Sequence, residues 1–258
     1  FDMPGEAGQQ SSASLIGFYS LNNQMLARLK WELALEDEDW LIRGKTRGGV
    51  WPDDFHGLGA GAGLYSESFD SSYIKHVTSV RRRLFGIDQL YVGLLHEFQW
   101  RTISTPADSM LAQEAPTGVD GGFISGLGVE FVWDERDSKY ATREGWYAET
   151  SLRRYSSMVG SEFGFWHFEI DGRRYWNLGG DHTIALRGLM ELQSGEVPFW
   201  EMATLGGSSV NRGISKGRFR DTAMLATQLE YRTPVIWDWL GFSAFGSLGT
   251  VGNGVDDL

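Results

Sequence analysis

Apolar side chains recur at every second residue along this 258-residue chain, and they do so over stretches much longer than an ordinary strand. Met25, Ala27, Leu29, Trp31, Leu33 and Leu35 alternate with Arg28, Lys30 and Glu32. Leu90, Val92, Leu94, Phe98 and Trp100 share one parity, Glu97 and Gln99 the other. Trp146, Ala148, Thr150 and Leu152 oppose Tyr147, Glu149, Ser151 and Arg153, and Trp166, Phe168 and Ile170 oppose His167, Glu169, Asp171 and Arg173. Ala223, Leu225, Thr227, Leu229 and Tyr231 oppose Gln228, Glu230 and Arg232. A helix would repeat its apolar residues at spacings of three and four, so the chain reads as all-β.

The alternation predicts strands at 12–21, 24–35, 39–48, 57–67, 71–83, 88–102, 121–134, 144–156, 162–177, 180–194, 221–234 and 238–251. Soluble strands usually run about 5–6 residues, whereas a strand tilted across a bilayer needs about 9–11. The lengths therefore favour an antiparallel transmembrane β-barrel of about twelve strands over a soluble sandwich. Hydropathy scans miss such barrels because only every second residue meets lipid. Short connections at Asn22-Asn23, Gly86-Ile87, Gly179-Gly180 and Pro234 to Trp239 contrast with long ones at 103–120 and 195–220, as periplasmic turns contrast with extracellular loops. Trp40, Trp51, Trp176, Trp237 and Trp239 near strand ends suit an interfacial girdle. With no Cys there is no thiolate site or disulfide, and a net charge of -11 argues against a nucleic-acid partner. The opening Phe1-Asp2-Met3-Pro4 carries no signal-peptide pattern, which suits a mature chain or a fragment.

The run Leu205 to Asp221, LGGSSVNRGISKGRFRD, resembles the sixth extracellular loop of the bacterial surface antigen family, the BamA/TamA-type outer-membrane barrels and two-partner secretion transporters. Gly206 and Gly207 match its Gly-Gly-Ser stretch, Arg212 and Gly213 its Arg-Gly core, and Gly217, Arg218, Phe219, Arg220 and Asp221 its tail. Asn211 stands where an aliphatic residue is usual, and Ile214 where an aromatic one is. Gly126 to Tyr147 resembles the family's strand–turn–strand element, with Asp134, Arg136, Asp137, Thr142, Arg143 and Gly145 in a polar periplasmic turn. Leu229 to Pro234 and Phe245 to Val251 resemble the two strands after the sixth loop.

The resemblance implies that residues 1–258 form one outer-membrane barrel domain. The family barrel has sixteen strands, of which this sequence matches the second through the thirteenth, and no periplasmic POTRA domain is visible. It also implies that the loop folds into the lumen, where Arg212 meets Glu230, with Ser247 at the position of a second, acidic partner. The implied role is assembly or insertion of outer-membrane proteins in a bacterial outer membrane. The implied partners are the bilayer and its lipopolysaccharide, unfolded outer-membrane proteins, and periplasmic or lipoprotein components. A pore or protein-secretion transporter is the alternative, and a POTRA-less structural barrel partner is a second. The stripe Arg28, Lys30, Arg43, Lys45 and Arg47 suits an anion-biased pore or acids paired across the lumen. His167, Glu169 and Asp171 suit a solvated wall balanced by Arg153, Arg173 and Arg187 better than a metal site. No Gly-x-Ser-x-Gly elbow is present, so neither catalysis nor a cofactor is expected.

Overall fold

The computed structural model describes residues 11–21, 24–35, 39–63, 65–84, 86–208, 210–237 and 239–258. The strands are β1 (Ser12–Tyr19), β2 (Met25–Leu35), β3 (Trp40–Val50), β4 (Asp53–Phe55), β5 (Glu67–Leu84), β6 (Ile87–Ser104), β7 (Gly121–Asp134), β8 (Gly145–Tyr155), β9 (Phe165–Asn177), β10 (Thr183–Gly195), β11 (Ala203–Leu205), β12 (Phe219–Asp221), β13 (Ala223–Arg232) and β14 (Ser243–Gly252). One short helix, α1 (Met110–Glu114), interrupts them. A twelve-stranded antiparallel sheet follows the order β1-β2-β3-β5-β6-β7-β8-β9-β10-β13-β14, with β4 attached to β5, while β11 and β12 form a separate hairpin. No ladder joins β1 to β14 among the described residues.

The two faces of the sheet are inverted relative to a water-soluble core. Leu229 is 53% exposed while its neighbour Glu230 is 7% exposed. Leu94 and Trp100 likewise lie open on the outer face, and Glu97 and Gln99 are buried on the inner one. Side chains of a strand alternate faces, so a polar interior and an apolar exterior follow once the apolar parity faces lipid. Trp133, Trp146, Trp166 and Trp176 are exposed on the outer face, and Trp237 and Trp239 at the β13–β14 turn.

The described residues of 57–66 form no strand, and Glu67 opens β5. Gly57, Gly59, Gly61 and Gly63 satisfy an alternation count but offer no side chains to pack, and Gly57 and Gly59 adopt φ of 89° and 88°, outside the strand region. The short β4 takes the twelfth place in the sheet. With eleven long strands instead of twelve, the match to the family counted back from the sixth loop begins one strand later, at the third. The connection across Asn22-Asn23 also moves to the opposite end from the one expected, although residues 22–23 themselves lie outside the described residues. One end now carries connections 20–24, 51–66, 105–120, 156–164 and 196–222, and the other 36–39, 85–86, 135–144, 178–182 and 233–242. The long-loop end is the extracellular one by the barrel rule.

Three of those long loops pack together. Phe55, Leu111, Val197, Phe199 and Trp200 join Phe69, Ile124, Tyr155 and Phe165 in one buried apolar cluster. Phe199 meets Phe55 and Phe69 edge-on, with centroids 5.7 and 5.8 Å apart. Burial of these rings supplies the loops with an apolar core of their own, which roofs the extracellular end of this wall.

Candidate functional site

The connection between β10 and β13 turns inward. Its β11–β12 hairpin packs against the inner face through Ala203, Leu205, Val210, Ile214 and Phe219, which meet Leu189, Met224, Ala226 and Val251. Gly206 and Gly207 adopt φ of 106° and 98°, and Gly217 of 80°, conformations that strain any residue with a Cβ. A Cβ on Gly206 would lie 2.7 Å from the Ser215 carbonyl oxygen. Gly213 is different, because it has no positive φ and open space around it. The bend before it is made by Asn211, at φ 53° and buried. Asn tolerates the left-handed region far better than the aliphatic residue usual in the family.

That bend delivers Arg212 to the wall. Its Nη2 lies 2.8 Å from Glu230 Oε2, and the Nε of Arg232 holds Glu230 Oε1 at 2.7 Å. The Arg212 guanidinium also sits 4.8 Å over the Phe245 ring. No hydrogen bond joins Arg212 to Ser247. Both Phe245 and Ser247 face inward on β14, and the ring takes the place that the resemblance assigned to Ser247. Arg218 stacks on Phe219 at 5.4 Å, and the Asp221 Oδ1 accepts the Thr222 N–H at 2.7 Å. Arg220 is buried, donates to the Phe199 carbonyl at 3.3 Å and lies 5.4 Å over the Phe199 ring. It ties the hairpin to the apolar roof.

The wall beyond the loop is a mesh of ion pairs. Arg81 grips Glu130 with Nε and Nη2, both at 2.7 Å, and reaches Glu149 at 2.6 Å. Arg43 reaches Glu149 at 2.9 Å, and Lys75 bridges Glu97 and Glu201, both at 2.6 Å. Arg153 pairs with Glu97 and Glu169 at 2.9 and 2.5 Å, while Arg173 and Arg187 hold Asp171 at 2.6 and 2.8 Å. The carboxylates on β9 thus face guanidinium groups, and no metal-binding cluster occurs among the described residues.

The 135–144 turn closes over the other end of the lumen. Arg136 donates twice to Asp134, both at 2.8 Å, and these bonds hold its guanidinium above the ordinary pKa. The Asp137 carboxylate caps the Arg143 N–H at 3.0 Å, and the Thr142 hydroxyl donates to the Ser138 carbonyl at 2.6 Å. From this frame Lys139 reaches Glu32 on β2 at 3.9 Å, Arg143 pairs with Asp181 of the 178–182 turn, and the Thr142 carbonyl accepts from Arg232 at 3.5 Å. The Arg212–Glu230 pair is therefore one step, through Arg232, from the periplasmic turn. Gly145 closes the turn at φ 113°, where a Cβ would lie 2.1 Å from the Glu135 carbonyl oxygen. Gly145→Ala is expected to destabilise the turn by more than about 1 kcal/mol. Limited proteolysis after Arg136, Lys139 or Arg143 would then be faster, with the intact barrel band unchanged.

Comparison with known proteins gives this fold a family. Residues 98–257 match the Omp85 superfamily domain. The chain belongs to the Omp85 superfamily. No curated protein matches the sequence. Among solved structures, BamA from Haemophilus ducreyi lacking POTRA domains 1-3 shares the fold, with a TM-score of 0.65 at 15% identity over 94% of this chain and 52% of that one. This Omp85 barrel thus spans about half the length of that relative. The family match includes the long loop and both strands after it, so Arg212, Glu230 and Phe245 lie inside it.

Sequence reasoning missed Phe245 as a partner of Arg212, Arg232 as a second clamp on Glu230, and Lys139 as a reach across the lumen. Inward parity marks Phe245 and Arg232, but nothing local marks the span from Lys139 to Glu32.

Proposed function

We propose that this barrel lies in a bacterial outer membrane and assists insertion of outer-membrane β-proteins, without chemistry of its own. The reading rests chiefly on the lumenal anchor: a family loop pinned by Arg212 to Glu230 and by an apolar hairpin to β13 and β14. A pinned loop fixes the curvature and spacing of the strands beside it, and a stable edge geometry favours recruitment of further strands by main-chain pairing. Its partners under this reading are the bilayer with its lipopolysaccharide, unfolded outer-membrane proteins, and periplasmic or lipoprotein components that deliver them. A passive pore is disfavoured by the aromatic roof around Phe199 and by the 135–144 turn across the opposite end.

The test uses the folded chain in lipid vesicles and a urea-unfolded outer-membrane protein as substrate. Faster appearance of heat-modifiable, protease-resistant substrate than in empty vesicles supports insertion. An unchanged rate together with steady ion conductance supports the pore or secretion reading. An unchanged rate without conductance leaves the structural-partner reading.

A further inference from the structure

Four cations on the inner face of β2 and β3 stand apart from the rest of the lumen. The register sets Arg28 directly opposite Arg47, and Lys30 directly opposite Lys45. Directly opposed side chains have Cβ atoms about 5 Å apart, and successive inward residues lie about 7 Å apart along a strand. The four charges thus form a compact rectangle. None of the four has an ion pair among the described residues, whereas Arg43, Lys75, Arg81, Arg153, Arg173 and Arg187 each hold at least one carboxylate. Carboxylates are not scarce, since Asp plus Glu is 34 against 23 Lys plus Arg. Like charges directly opposite destabilise a ladder, so the arrangement is a local cost that packing does not explain.

Space and donors accompany the charge. A cavity of about 720 Å³ lies against Lys30 and Lys45 and is also lined by Ser12 and Ser14 of β1. Its carboxylates are Glu32, Glu97, Glu130, Glu149 and Glu169. The last four are engaged by arginine or lysine at 2.9 Å or less, and Glu32 meets Lys139 at 3.9 Å, which leaves Lys30 and Lys45 as the lining cations without a carboxylate partner among the described residues. Lys216 of the long loop adds a cation on the Arg47 side. Desolvation, and next the Arg47 charge, holds its ammonium below the ordinary lysine pKa.

We propose that this face of the lumen is a binding site for a compact, multiply charged phosphoryl anion, held between the Arg28–Arg47 and Lys30–Lys45 pairs. A guanidinium fork matches two oxygens of a phosphoryl group, and an ammonium adds a point charge that needs no fixed direction. Four cations in so small an area call for several negative charges on adjacent atoms, which a single carboxylate does not offer. The inward parity, opposite to the outer Leu29 and Leu33, points to a phosphoryl group arriving from water rather than from a lipid headgroup.

The probe is pyrophosphate, titrated calorimetrically into the folded full chain in neutral detergent. The Lys30→Gln/Lys45→Gln and Arg28→Gln/Arg47→Gln double variants are each expected to weaken binding at least tenfold, while Arg173→Gln leaves it unchanged. Without ligand, the lysine double variant is expected to melt a few degrees higher than the parent, because the repulsion is gone. Equal affinity of parent and double variants overturns the site. A lower melting temperature also overturns it, since the cations would then already be neutralised by a group outside the described residues. Binding seen only when the phosphoryl group sits on a glycolipid in mixed micelles overturns the lumenal placement. Tighter binding of an oligoglutamate peptide than of pyrophosphate overturns the ligand class.

Discussion

Glu130→Gln is expected to lower the barrel's unfolding free energy by about 3 kcal/mol, the lower end of the range for removing one partner of a buried ion pair. Glu130 is 1% exposed and accepts both Arg81 donors at 2.7 Å, together with the Ser79 hydroxyl. The pair bridges β5 and β7 across β6 because the residue between them is Gly93, opposite Arg81 on one side and opposite Glu130 on the other. A Cβ on Gly93 would lie 2.8 Å from Glu130 Oε1 and 3.0 Å from Arg81 Cγ. Glutamine keeps the volume and removes the charge, so the loss measures electrostatics rather than a cavity. The residual contact of Arg81 with Glu149 at 2.6 Å keeps the cost at the lower end. Urea titration in detergent, followed by tryptophan fluorescence and by the heat-modifiable gel band, gives the value. Arg143→Ala removes an exposed pair with Asp181, and the same titration should shift by about 0–1 kcal/mol. Equal midpoints for Glu130→Gln and the parent would show that this mesh contributes no net stability.

The wall was legible because alternation is covalent: once Leu229 faces lipid, Glu230 must face the lumen, whatever lies around it. Glycine defeats the same logic. Gly57, Gly59, Gly61 and Gly63 keep the period but carry no side chain, and the backbone there leaves the strand region. One false strand then displaced the Asn22-Asn23 connection to the wrong end and shifted the family register by one. Parity also has limited resolution along a strand. It sends both Phe245 and Ser247 inward, and only the three-dimensional path of the Asn211 bend decides that Arg212 lies over the ring. The apolar roof was illegible for a different reason. Phe55, Leu111 and Phe199 come from three loops with no periodicity, and their meeting depends on the barrel bringing those loops to one end.

Gly249→Val is expected to expel the β11–β12 hairpin from the lumen while the barrel remains folded. Gly249 faces inward on β14, where a Cβ would lie 2.6 Å from Leu205 Cδ1, 2.9 Å from Asn211 Nδ2 and 3.1 Å from the Leu225 carbonyl oxygen. Its backbone is ordinary strand, so valine suits the strand conformation, and the two tightest conflicts, with Leu205 and Asn211, fall on the loop. Overpacking of this kind costs about 1–3 kcal/mol. The Arg212–Glu230 pair, with the Arg212 side chain 34% exposed, opposes it by about 1 kcal/mol or less. The clash therefore outweighs the anchor, and the hairpin gives way before the wall does. By the same comparison Arg212→Ala alone leaves the hairpin seated, because the apolar contacts of Leu205, Val210 and Phe219 persist. Trypsin reads the difference, since release carries Arg212, Lys216 and Arg218 out of the lumen and within reach of the protease. Cleavage there should quicken at least tenfold in Gly249→Val, change little in Arg212→Ala, and not change in Gly213→Ala, where the added Cβ meets open space. Protease resistance of Gly249→Val equal to the parent's would mean that the hairpin yields sideways within the lumen, and that close approach at Gly249 does not hold it in place.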